Sequence, residues 1–161
     1  MERTEKEKLE EAAVSYFLEW YAENRARLFK IVNHQDKPDF VVQEYVPSDK
    51  VGVEVAHLFQ DDAEARMLLG RSQERVHPTV SLSDLIKRLN SVLIQKAAKV
   101  EDYDFPGDVF LVIRVASPIF DRELFESHRA DINVPPCKFS EIWLLFRDVN
   151  RSSWSEVLQL K

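Results

Sequence analysis

Two carboxylates stand where an acid needs a reason. Asp39 follows Pro38 at the head of an apolar run, and Glu54 lies inside a second one, with Pro47-Ser48-Asp49-Lys50 between them. Two such acids on neighbouring strands make a site for a divalent metal ion. Leaving an ionised group unpaired in low dielectric costs several kcal/mol or drives its pKa upward, so Glu54 requires a partner: a metal, an arginine or a lysine. Asp39 taken alone also fits turn and capping chemistry at a strand start.

The elements that must hold this pair follow from alternation. Over 39–46, Phe40, Val42, Glu44 and Val46 share one face, and Asp39, Val41, Gln43 and Tyr45 share the other. The second run puts Val51, Val53 and Val55 together and turns Gly52, Glu54 and Ala56 to the opposite face. With turn chemistry between them the runs predict a hairpin, in which Gly52 admits a close neighbour.

The stretch Lys37-Pro38-Asp39-Phe40-Val41-Val42, a turn, then Val51-Gly52-Val53-Glu54-Val55-Ala56 resembles the PD-(D/E)xK motif of restriction-endonuclease-like nucleases, with Asp39 and Glu54 matching the two acids. The motif's lysine, two residues after the second acid, is replaced by Ala56. Some branches of that superfamily carry the lysine on a nearby helix, which directs attention to the run 83–100. With Ser83 as N-cap and Asp84 in the first turn, Leu85, Leu89, Val92 and Leu93 form one stripe that Lys96 continues. Lys99, a turn further on, is the second choice. A lysine at the edge of such a stripe also commonly packs its stem and extends its ammonium to solvent. The resemblance implies magnesium or manganese held by Asp39, Glu54 and the main-chain oxygen of Val55, with Lys96 orienting a water and countering charge on the phosphate.

The remaining elements extend the likeness. A helix is predicted over 4–24, buried on most sides, with Glu11, Ser15 and Glu19 as a solvated ridge. A short strand at 28–32 ends in Asn33-His34-Gln35-Asp36, a helix is expected over 60–69, and 109–115 reads as a strand buried on both faces. A short helix at 121–126, a strand at 141–146 and an edge strand at 154–160 complete the chain. This order predicts one α/β domain over 1–161, a central mixed β-sheet flanked by helices, and matches the restriction-endonuclease-like fold.

Composition sets bounds. The 161 residues, 45% hydrophobic with three glycines, suffice for one core. No apolar run approaches the roughly 20 residues of a membrane span, so a cytoplasmic protein without membrane contact is expected. Cys137 has no second cysteine, and His34, His57, His77 and His128 lack metal-ligand spacing; His57, three residues after Glu54, fits a hydrogen-bonded strand-end residue. A net charge of −6 opposes broad contact with nucleic acid, unless Lys87, Arg88, Lys96 and Lys99, or Arg66, Arg71 and Arg75, cluster beside a groove. No serine or cysteine nucleophile motif and no glycine-rich phosphate loop is present. The expected partner is nucleic acid, DNA foremost, with a homodimer or a partner protein supplying target recognition. Loss of the motif lysine leaves one alternative, a catalytically degenerate domain serving as a nucleic-acid or protein interaction module.

Overall fold

The computed structural model describes residues 4–46, 48–59, 81–117, 120–148 and 153–161. The helix expected over 60–69, and the arginines beyond it, lie outside them.

Helix α1, Glu5–Arg25, begins with a reciprocal cap: the Thr4 hydroxyl accepts from Glu7 N, and the Glu7 carboxylate accepts from Thr4 N. It ends at Ala26, whose φ of 55° takes the chain out of the helix. It buries a stripe, Glu10, Ala13, Val14, Phe17, Leu18 and Tyr21, and not most of its surface as its apolar density suggested. The i, i+3, i+4 spacing puts those side chains on one face and leaves Ala12, Ser15 and Glu19 exposed.

Strand β1, Phe29–His34, runs on through Asn33 and His34, which were expected to end it, because the antiparallel ladder pairs them with Val41 and Phe40. Backbone pairing at a sheet edge does not depend on side-chain polarity. Strand β2, Phe40–Glu44, stops before Tyr45 and Val46, which are 52% and 83% exposed, and pairs antiparallel with β3, Lys50–Phe59. Glu44, buried in this hairpin, is satisfied by two bonds from the Arg27 guanidinium, at 3.1 and 3.0 Å.

Helix α2, Leu82–Val100, is capped by Ser81 and not Ser83: the Ser81 hydroxyl accepts from Asp84 N at 3.2 Å, which lets Leu82 enter the first turn. Strand β4, Val109–Ala116, is buried along its whole length, as its apolarity predicted. Helix α3, Arg122–Ser127, a short 3₁₀ turn at Arg129–Asp131, strand β5, Glu141–Asp148, and strand β6, Ser153–Gln159, complete the order.

The protein is α/β, with a six-stranded mixed sheet in the order β1-β2-β3-β4-β5-β6. Strands β3, β4 and β5 are parallel, and antiparallel pairs extend both sides. Alternation divides the core between the two faces. Val51, Val53, Val55, Phe110, Val112, Trp143 and Leu145 pack under α1, whereas Ala56, Leu58, Leu111, Ile113, Leu144 and Phe146 pack with α2 and α3. Glu54 shares the α2 face. No helix among the described residues is long and apolar enough to cross a membrane.

Candidate active site

Asp39 immediately precedes β2, beside the cross-strand pair Phe40↔Val53. Its Oδ2 accepts from Val55 N at 2.9 Å, and its own N–H donates to Glu54 Oε1 at 3.3 Å. The two acids thus tie the end of β2 to the middle of β3. Within a strand, N–H and C=O of one residue point to the same edge, so with Val55 N–H directed at Asp39 the Val55 carbonyl opens on that edge too. Gly52 makes the approach feasible: a Cβ there would sit 2.6 Å from Pro38 Cγ.

Helix α2 delivers the lysine. Lys96 Nζ lies 2.9 Å from Glu54 Oε2, with Glu54 only 4% exposed. Ala56 is buried beneath the same helix, so the small side chain at the motif's lysine position permits close packing of the element that carries Lys96. Lys99 lines the cleft one turn further along, together with Lys6, Asp36, Lys37, Asp102 and Tyr103, around a volume of about 300 Å³.

Sequence reasoning missed Tyr103 and Glu10, and read His57 only as a hydrogen-bonded strand-end residue. The Tyr103 hydroxyl, just beyond α2, donates to the same Glu54 Oε2 that Lys96 reaches. Glu10 is buried on α1, its Oε1 lying 3.7 Å from Lys6 Nζ and 3.5 Å from His57 Nε2. Lys6, Glu10 and His57 line a second opening with Asp39 and Lys96. Glu10 was legible: it falls three, four and seven residues before Ala13, Val14 and Phe17, on the buried stripe, whereas Glu11 and Glu19 do not. His57 is held beside Glu10 as a partly buried residue, with its Nδ1 unpartnered among the described atoms.

Electrostatics separate the two acids. Burial, followed by the charge of Glu54, pushes Asp39 up to about 7. Burial also acts to raise Glu54, but the Tyr103 hydroxyl and the Lys96 ammonium outweigh it and hold that carboxyl below its ordinary range. Tyr103 is raised in turn, by burial and by Glu54. His57 is lowered by burial, against the opposing pull of Glu10.

Among the described residues no group of three or more His, Cys, Asp or Glu is arranged to hold a metal ion. The donors on hand are two carboxylates and the Val55 carbonyl, hard oxygens of the kind magnesium takes along with several waters. A divalent cation beside both acids would lower the raised proton affinity of Asp39. No family model, curated protein or solved structure matches this chain.

Proposed function

We propose that this protein is a divergent restriction-endonuclease-like nuclease that hydrolyses phosphodiester bonds with magnesium or manganese held by Asp39, Glu54 and the Val55 carbonyl. The observation that carries this reading is the 2.9 Å approach of Lys96 Nζ to Glu54, across 42 residues of sequence. It supports a helix-borne ammonium standing where the motif's strand lysine would reach. The metal, when bound, supplies charge neutralisation at the phosphate and a lowered pKa for an attacking water. Lys96 holds a fixed positive charge beside that water and the phosphate oxygens. Tyr103 is a positioning residue: its hydroxyl, with Lys96, fixes one oxygen of Glu54 and keeps that acid ionised.

A second reading has its own support. Glu54 Oε2 already receives both Lys96 and Tyr103, which is also how a buried structural carboxylate is satisfied. On that reading the domain is a nucleic-acid or protein interaction module. Calorimetric titration of magnesium and manganese into the wild type, Asp39→Ala and Glu54→Ala separates the two. Cleavage assays of wild type and Lys96→Ala on plasmid, duplex and single-stranded DNA and on RNA complete the test. The nuclease reading expects binding lost in both acid variants and cleavage reduced roughly 10²- to 10³-fold in Lys96→Ala, the usual cost of removing one transition-state donor. Absence of metal binding by the wild type overturns it in favour of the module.

A further inference from the structure

A second pocket lies at the other end of α1. Lys6 and Arg25 are nineteen residues apart on that helix, about 28 Å along its axis. Around a volume of about 450 Å³ the pocket gathers Arg25, Arg122, Arg129 and Lys161, with Trp20 and Trp143 beside them. No acidic side chain among the described residues lines it, although acids outnumber bases in the chain as a whole, 28 to 22.

The four cations are oriented mostly by neutral groups. Arg25 donates to Gln159 Oε1 at 2.9 Å, and its guanidinium carbon lies 5.9 and 5.5 Å from the ring centroids of Trp20 and Trp143. Arg122 Nε donates to Val157 O at 2.9 Å, and Lys161 Nζ donates to Cys137 O at 3.1 Å. Arg129 donates to Gln159 O and also pairs with Glu126, at 2.7 Å. Carbonyl bonds and ring contacts aim a side chain without cancelling its charge. The Lys161 main-chain oxygen accepts from Ile142 N and Gln159 Nε2. Apart from the Arg129–Glu126 pair, cations gathered around one opening with little counter-charge are costly to hold together unless an anion completes them.

We propose that this pocket binds a phosphate group, carried by a nucleotide or by a nucleic-acid strand. A multiply charged oxyanion accepts from several guanidiniums at once, which a single carboxylate does not. The volume also leaves room for the ligand's organic part against the half-buried Trp20. The site is independent of the Asp39–Glu54 cleft and holds whether or not that cleft cleaves anything.

The test is a titration at constant ionic strength with EDTA present, so that no metal at Asp39 and Glu54 contributes. Inorganic phosphate, a 5′-mononucleotide and a short single-stranded oligonucleotide are added separately, followed by tryptophan fluorescence and calorimetry. Saturable binding of at least one is expected, weakened about tenfold in Arg122→Gln and in Arg25→Gln, each the loss of one charge-assisted hydrogen bond. Binding of the mononucleotide or phosphate assigns a small-molecule site, and binding of the oligonucleotide alone assigns a strand-tracking one. Arg122→Lys, which keeps the charge, guards against misfolding and is expected to retain most of the affinity. No saturable binding of any of the three, or binding equal in the arginine variants, overturns the proposal.

Discussion

At the scale of single residues, the unequal proton affinities of Asp39 and Glu54 make the sharpest predictions. Asp39 stands near 7 in the folded protein against an ordinary 3.8, so folding favours its protonated form. Its stabilising contribution is therefore fully present below the unfolded value and is lost as pH rises through about 7. Asp39→Asn, whose amide oxygen still accepts from Val55 N, is expected to melt several degrees above wild type at pH 8 without metal, at about 2–4 °C per kcal/mol, and to match it near pH 4. With the proposed metal site, saturating magnesium is expected to reverse the order by stabilising wild type alone. Glu54 has the opposite sign: lowered in the fold, its contribution holds above its ordinary value and is lost in acid as pH falls through the folded one. Equal melting curves for wild type and Asp39→Asn at pH 8 would show that the two acids do not interact as described. The contact of Glu10 with His57 gives a second prediction. Glu10 partly offsets the burial that lowers His57, so Glu10→Gln is expected to move the His57 titration to still lower pH, read from its ring proton resonances. An unmoved titration would leave Glu10 electrostatically silent.

At the scale of elements, the crossing of β2 and β3 determines whether the site exists. Gly52 has Pro38 Cγ where its own Cβ would be, at 2.6 Å, and Phe105 Cδ1 at 3.3 Å. Gly52→Ala must displace Pro38, and Asp39 moves with it. We expect a stability loss of about 1–3 kcal/mol in denaturant titration, typical of forced overpacking, and a weaker metal affinity by calorimetry. Unchanged affinity would mean that Asp39 tolerates the shift and that the strand approach does not set its place. The hairpin contains a useful contrast, since Glu44 and Glu54 are both buried acids in valine-rich strands. Glu44 takes an arginine from the loop after α1, a closed pair of the structural kind, whereas Glu54 takes a lysine and a tyrosine at the border of a cleft.

At the scale of the molecule, a net charge of −6 opposes the proposed polyanionic substrate except where cations gather locally. Lys6, Lys37, Lys96 and Lys99 line the cleft among the acids Asp36, Asp39, Glu54 and Asp102, and four further cations gather at the far pocket. Nucleic acid held by the cleft alone is expected to show a salt dependence of log affinity with slope about −3 to −4 on duplex, the neutralisation of about four phosphates. A markedly steeper slope would bring in the far pocket, whose contribution Arg122→Gln then removes. A slope near zero would exclude phosphate contacts as the source of binding.

The sequence by itself determined the hairpin, the strand of β4, the long helix α2 and the faces of Asp39 and Glu54, because alternation and 3.6-residue spacing are local properties of the chain. It also ranked Lys96 on the stripe of α2, but could not distinguish an ammonium turned inward from one extended to solvent. That choice belongs to the tertiary structure, since it depends on how closely α2 packs over Ala56. The same holds for Tyr103 and His57, which gain their significance from partners 49 and 47 residues away. Glu10 was within reach of the sequence through its place among Ala13, Val14 and Phe17, yet only the packing of α1 on β3 brought His57 to it. The basic pocket left no local signal at all: its cations come from α1, α3, the 3₁₀ turn and the end of the chain, and folding alone puts like charges together.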